Sequence, residues 1–391
     1  MTHNTSTEIK VAENATNPFA HLVNLAQNGS VLFATDDFFQ PAESLIAKNE
    51  PVWDEHKFTP FGKWMDGWET RRKRTEGHDW SIIKLGLSGS LTGVHIDTAY
   101  FTGNQTPRIS LQAACLDRDL PLVRRSELGT CATQQELQAA LAVKSDIWEE
   151  ILPMVALKPG YQSTRHHYFR INSNKRWTHL RVNYFPDGGV ARLRAYGTVI
   201  KDWTAPDVQT GIFDLIAMEN GGVPIAVSNS HYGTPFNLIS KPESIGMMDG
   251  WETARNPNRP PIFLKDASGQ LVMPGFEWVV FRVGVPGAGV PRRVQVDTAH
   301  FRGNFPESVR VEGCCVDTGK AGGARGWETA AWFPIVERVK TRADAKHEFE
   351  VADGKRVTHV RLTVYPDGGV ARLRVWGTKG DKVPEVGKPK L

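Results

Sequence analysis

Residues 178–198, THLRVNYFPDGGVARLRAYGT, return at 358–378 as THVRLTVYPDGGVARLRVWGT, with about two thirds of the positions identical. Copies 180 residues apart lie far beyond the period of a solenoid unit, so each belongs to a domain with its own core. The fold is one problem posed twice.

The repeated stretch reads as two strands and a turn. Leu180 to Tyr184 is rich in apolar and β-branched residues, Pro186-Asp187-Gly188-Gly189 supplies a fixed φ followed by two residues free to take φ > 0, and Val190 to Tyr196 alternates. In the second arm Ala191, Leu193 and Ala195 share one face, and Val190, Arg192, Arg194 and Tyr196 share the other.

At 391 residues each half is long enough to bury a core without disulfides. A net charge of +4 with 23% charged residues is too mild for a protein that holds phosphate backbones, which speaks against nucleic acid as a partner. The one basic cluster, Arg71-Arg72-Lys73-Arg74, reads as a solvated loop or, alternatively, a nucleic-acid or localisation patch. Cys115, Cys131, Cys314 and Cys315 form neither a disulfide framework nor a CxxC pattern, which fits a reducing cytoplasm. No basic n-region precedes an apolar core at the N-terminus, and no stretch approaches the roughly 18 apolar residues of a membrane span. The expectation is a soluble, unexported chain with no membrane partner.

Along the chain, residues 1–24 are expected to form a flexible tail, 25–201 the first domain, 202–211 a linker, 212–379 the second domain and 380–391 a Lys/Pro tail. Matched strands are read at Trp80 to Leu87 and Trp278 to Val285, and at Val94 to Asp97 and Val294 to Asp297, with Gly/Ser-rich turns between. The copies differ most near 117–147, where Thr133-Gln134-Gln135-Glu136 is a capping-box pattern opening a helix through Ala142; the second copy has a plain loop, Asp317 to Gly326. Many short alternating strands with Gly/Pro turns predict an all-β chain of two tandem jelly-roll β-sandwich domains.

No GxSxG elbow, HExxH helix, phosphate loop or dinucleotide fingerprint is present, so candidate chemistry falls to polar loops carried by both copies. Asp-Gly-Trp-Glu-Thr, at Asp66 and Asp249, offers two carboxylates beside an indole and an arginine: Asp66, Glu69, Asp249 and Glu252 as acid or base, with Arg71, Arg72 and Arg255 to bind an anion. The bland alternative is a turn whose Trp plugs the sandwich. Asp-Thr-Ala-x-Phe-x-Gly-Asn places Asp97, Asn104, Asp297, His300 and Asn304 as donors and acceptors for a ureido or amide group, or merely as backbone-bonding turn residues. The arginines Arg192, Arg194, Arg372 and Arg374, and the histidines His166, His167 and His347, have both functional and structural readings, the structural one being the weightier. Asp and His that could ligate a divalent metal ion are present, yet no spacing matches a ligand set.

Taken together and in order, these motifs resemble the allantoicases, the allantoate amidinohydrolases of purine breakdown. The resemblance spans about 25–379 and rests on FGKWMDGWETRR, DWSIIKLG, IDTAYFTGN and FPDGGVARLRAYGT in the first copy, and on DGWETAR, VDTAHFRGNFP, VEGC and YPDGGVARLRVWGT in the second. It implies galactose-binding-like jelly rolls, conversion of allantoate and water to ureidoglycolate and urea, and a homo-oligomer, with a hexamer as one form. It supplies no settled catalytic set. Allantoate carries one carboxylate and two ureido arms on a central carbon. The expectation is therefore that Arg71, Arg72 or Arg255 holds the carboxylate and that Asn104 and Asn304 hold ureido groups. An acid among Asp66, Glu69, Asp249, Glu252 and His300 would assist C–N cleavage while Asp97 or Asp297 orients water. His300 in place of Tyr100 tilts the expectation towards the second copy. The competing class is a non-catalytic tandem carbohydrate- or small-ligand-binding protein, which predicts exposed aromatic platforms.

Overall fold

The computed structural model describes residues 7–11, 16–203, 211–259, 262–267, 269–272, 275–316, 326–352 and 354–380. The chain divides into two units, Met1–Ile200 and Lys201–Leu391.

In the first unit the strands are β1 (Ser30–Ala34), β2 (Asp79–Asp97), β3 (Arg108–Ala114), β4 (Glu149–Ala156), β5 (His166–Arg170), β6 (Trp177–Phe185) and β7 (Arg192–Val199). One sheet runs β1-β2-β6-β3-β4, and the second half of β2 pairs with β5 and β7 in the other, all antiparallel. The second unit repeats this order with β8 (Val223–Val227), β9 (Glu277–Arg282), β10 (Gly289–Asp297), β11 (Ser308–Cys314), β12 (Phe333–Lys340), β13 (Lys346–Glu350), β14 (His359–Tyr365) and β15 (Arg372–Lys379). Its sheets are β8-β9-β14-β11-β12 and β15-β10-β13. Each unit is a jelly-roll sandwich.

Alternation assigns the faces. Ala191, Leu193 and Ala195 pack inward, with Val94 and Ile96 opposite in register, and all five are fully buried. Arg192, Arg194 and Tyr196 point outward, yet they are buried too, because further chain covers that face. The structural role read for these arginines takes the form of bonds beneath covering loops: Arg194 Nη2 meets Glu50 Oε1 at 2.8 Å, and Arg192 Nε donates to Asn49 O at 2.8 Å.

Part of that cover corrects the expected tail at 1–24. Within it, Thr7–Ile9 forms an edge strand on β5, and Phe19 sits against Tyr168 and Tyr196 at 6.3 and 5.9 Å. The slot for Phe19 is made by Gly93, where a Cβ would stand 2.1 Å from the ring. Of the linker 202–211, residues 204–210 lie outside the described residues, as do 381–391 of the expected C-terminal tail and 317–325 of the second-copy loop. Gly380 donates to Ala288 O at 2.7 Å and so belongs to the sheet end.

A second correction concerns the Gly/Ser-rich turn. In the first copy Asp79–Asp97 is one strand through both sheets, and Gly89 marks a close approach: a Cβ there would lie 2.1 Å from Thr198 O. In the second copy the chain does break, between Arg282 and Gly289.

The helix α1 (Gln134–Ala142) starts at its capping box, with Glu136 N donating to Thr133 Oγ1 at 3.2 Å and Thr133 N to Glu136 Oε2 at 2.6 Å. Its Ala140 packs on Phe33, Trp80 and Ile82, so this insertion closes the outer face of the β1-β2 sheet.

Candidate active site

Three loops meet at the same place in each unit. Trp68–Glu69 pairs with Gly189–Val190 of the hairpin turn, and Trp251–Glu252 pairs with Gly369–Val370. The loop after β2 joins them through Gly189 N to Asn104 O at 2.8 Å, matched by Gly369 N to Asn304 O at 2.7 Å. Phe101 and Phe301 fill the space beneath: a Cβ on Gly189 or Gly369 would lie 2.0 Å from the respective ring, so only glycine admits the plug. Trp68 and Trp251 are fully buried, their Nε1 donating to Asp36 O (2.8 Å) and Asn229 O (2.9 Å). The indoles are packing.

The carboxylates of these loops part company. Asp66 Oδ2 accepts from Arg192 Nη2 at 2.9 Å, and Asp249 Oδ2 from Arg372 Nη2 at 2.7 Å, while both guanidiniums are almost wholly buried. These two aspartates, expected as acid or base, are the anchors of the hairpin arginines. Asp97 is fully buried, with Oδ1 accepting Ala99 N at 2.8 Å and both oxygens held by Arg165. Burial alone would raise its carboxyl, but the Arg165 hydrogen bonds and charge carry it below the usual range. Asp297 makes the same turn through Ala299 N at 2.8 Å, but Ala345 stands where the first copy has Arg165, and Asp297 Oδ2 is buried without a partner. Burial raises its carboxyl. Neither aspartate reaches a surface where it could orient water.

His300 takes a left-handed φ of 68°, as Tyr100 does at 69°, and its ring Nε2 lies 2.9 Å from Ser244 O. Arg71 is spent on Asp36, at 2.7 Å, whereas Arg72 and Arg255 are exposed. His167 and His347 are structural, their Nε2 accepting Lys158 N and Arg342 N at 2.9 Å each.

What the loops do bring together is a Glu and an Asn. Asn104 Nδ2 donates to Glu69 Oε1 at 2.6 Å, and Asn304 Nδ2 to Glu252 Oε1 at 2.6 Å. Glu69 is buried, and desolvation pushes its carboxyl up to about 7 against the pull of Asn104. Glu252 and Asn304 instead open onto a cleft of about 530 Å³, a size suited to small molecules. Its wall includes Arg255, Arg259, Lys265, Lys340, Glu307 and Asp367. Among the described residues no carboxylate lies within ion-pair range of Arg255, Lys265 or Lys340, so the cleft presents cationic groups to a ligand.

Arg259, Lys265, Lys340 and Asp367 went unnoticed in the sequence. The first three lie outside the repeated motifs, and Asp367 is the counterpart of Asp187 in a hairpin turn, where an aspartate looks like turn chemistry alone. The available signal was the recurrence of cations at 255, 259 and 265 just after the motif.

Among the described residues, His95, Asp97 and His166 bring three metal-ligand atoms within 4.8 Å of one another. His95 Nε2 faces His166 Nδ1 at 2.9 Å and the Arg165 guanidinium covers Asp97, while His95 Nδ1 is buried without a partner. As arranged they do not suit a cation. No helix among the described residues is long and apolar enough to cross a membrane.

The model of the allantoicase repeat matches residues 20–200 and again 213–380. The chain belongs to the allantoicase family. A probable allantoicase of Pseudomonas aeruginosa (strain UCBPP-PA14) is 39% identical over 368 residues, covering 92% of this chain and 97% of that one. One from Pseudomonas syringae pv. syringae is 40% identical over 367 residues, with the same coverage. The crystal structure of Saccharomyces cerevisiae allantoicase matches at a TM-score of 0.69 and 30% identity, covering 95% of this chain and 99% of that one. A second allantoicase structure matches at 0.68 and 32%, covering 91% and 93%. The first unit also has a depression of about 400 Å³ lined by Trp53, Tyr100, Tyr161 and Arg165, the sort of feature a binding-only protein would show. Allantoicase membership across both copies weighs against that alternative.

Proposed function

We propose that this allantoicase-family chain hydrolyses allantoate to ureidoglycolate and urea in purine breakdown, and that the second-unit cleft is where it does so. The observation that supports this most is the Glu252–Asn304 pair opening onto a small cleft rich in cations. In the reaction the bond between the central carbon and one ureido nitrogen breaks, and water oxygen takes that place on carbon. Glu252 gives a proton to the departing nitrogen, so that neutral urea leaves, and recovers one from the incoming water. Asn304 holds one carboxyl oxygen of Glu252, leaving the other free for transfer, and its amide lies beside the ureido arms. Arg255 is one of the cations whose field draws the anionic substrate to the cleft. Of the other candidates, Glu69 with Asn104 is the equivalent pair of the first copy. Asp66, Asp97, Asp249 and Asp297 act by holding loops.

This reading carries with it a cytoplasmic homo-oligomer, supported by exposed apolar side chains such as Ile245 and Met248 and checked by light scattering. The deciding experiment offers allantoate to the purified protein and measures urea. The expected result is one urea per allantoate, with Glu252→Gln and Asn304→Ala slowed, the former by about 10²- to 10⁴-fold. No urea over a broad pH range, with and without added divalent ions, overturns the reading. Wild-type turnover by Glu252→Gln removes that residue from it.

A further inference from the structure

The two copies use one hairpin aspartate alike and then diverge. Asp187 Oδ2 accepts Lys73 N at 2.8 Å, and Asp367 Oδ2 accepts Asn256 N at 2.9 Å. That shared bond fixes which residues correspond. Three residues further on, the first copy has the exposed Glu76 and the second has Arg259. Arg259 folds back on the same aspartate, Nη1 to Asp367 Oδ1 at 3.1 Å, with its guanidinium over the Phe263 ring at 4.6 Å. Arg259, Phe263 and Asp367 all line the cleft that holds Glu252 and Asn304.

We propose that Arg259, positioned by Asp367, is the residue that reads the ligand's carboxylate, so that the second-unit cleft selects ureido-carboxylates over neutral ureides. This deepens the reading of the cleft as the allantoate site and rests on it. Four cations line the cleft, but they are not equivalent. Arg255, Lys265 and Lys340 are exposed, and each would lose rotamer freedom on gripping a ligand. Arg259 is held in advance between a carboxylate and a ring. Its bond to Asp367 uses Nη1, and among the described residues no acceptor takes Nε or Nη2. A planar fork fixed in this way matches a carboxylate through two parallel N–H bonds, which an ammonium cannot do. Lys265 and Lys340 add field around it. Asp367 does not touch the ligand; it acts through Arg259. The first copy, with Glu76 at the matching place, has the wrong sign there for an anion.

The test uses the full chain and two probes: ureidoacetate, which has one ureido arm and a carboxylate, and its neutral amide, ureidoacetamide. Calorimetric titration of the parent protein is expected to favour ureidoacetate by about tenfold or more, the scale of hydrogen bonds to a charged group. Arg259→Gln should erase that preference and raise KM for allantoate by a similar factor, with kcat changed by less than about threefold. Arg259→Lys should keep part of the preference. Asp367→Asn should raise KM by less than Arg259→Gln does, and an unchanged circular dichroism spectrum guards against misfolding. Equal binding of the two probes by the parent, or undiminished preference in Arg259→Gln, overturns the proposal. A parent that shows the preference but releases no urea from allantoate keeps the carboxylate clamp and sinks the enzymatic reading. Urea release with an unchanged KM in Arg259→Gln does the reverse.

Discussion

Glu69 and Glu252 occupy matching positions and meet matching asparagines at 2.6 Å, but only Glu252 opens on the cleft, and burial of Glu69 has a thermodynamic consequence. Its carboxyl stands at about 7 in the folded protein against an ordinary 4.5. The folded state therefore keeps a proton that the unfolded chain gives up, so this group's contribution to stability falls as pH rises from about 4.5 to 7 and is flat above. The full cost is on the order of 3 kcal/mol, from 1.36 kcal/mol per pH unit. Glu69→Gln retains an amide oxygen to accept from Asn104 and removes the ionisation. Denaturant unfolding should show the variant close to the parent at pH 4.5 and more stable by about 2–3 kcal/mol at pH 8. A gap that stays constant across this range would mean that Glu69 ionises freely. Glu69 and Asn104 were each legible as candidates, but neither their pairing nor this difference in burial was, because both depend on how three loops distant in sequence close together, which no local pattern encodes.

At the scale of elements, what could be read was chemistry confined to a few neighbouring residues. The capping box of α1 was legible because Thr133 and Glu136 satisfy each other's backbone within one turn. The hairpin was legible because Pro-Asp-Gly-Gly permits so few paths; Gly188 and Gly368 do take φ of 123° and 135°, although Gly189 and Gly369 serve instead to admit a phenylalanine. Gly89 was misread for the reason that β2 was: a glycine needed for contact with Thr198, 109 residues away, looks locally like a turn. The N-terminal segment was misread because the aromatic partners of Phe19 lie near 168 and 196. The cap can be tested directly. Thr133→Ala should cost about 1 kcal/mol in denaturant unfolding, and Thr133→Ser should restore most of it. Equal stability of all three proteins would show that packing of Ala140 on Trp80 holds the helix unaided.

For the whole molecule, duplication makes each copy a control for the other, and the Asp97 and Asp297 turns show what divergence has left behind. Thr98 N donates to Arg165 O and Thr298 N to Ala345 O, at 3.0 Å each, so residues 165 and 345 have the same backbone footing beside their aspartates. Both aspartates spend Oδ1 on the turn. In the first copy Arg165 satisfies the rest of the carboxylate; in the second, Oδ2 stays buried and unbonded, and the group's affinity for protons is raised. Ala345→Arg should therefore rebuild the first-copy pair. A buried acceptor left without a partner costs about 1–3 kcal/mol, so a gain of about 1 kcal/mol is expected at neutral pH after the entropy of ordering the new side chain. The sign of the pH dependence is set by the raised carboxyl. The parent loses stability as pH climbs through and above the ordinary aspartate range, because the folded state resists ionisation; with the arginine in place the ion is favoured and that loss disappears. The variant's advantage should thus be smallest near pH 4, widen as pH rises and then level off. Thermal unfolding midpoints across pH 4 to 8 would read this, and a variant no more stable than its parent at neutral pH would show that the second copy has no room to rebuild the first-copy pair.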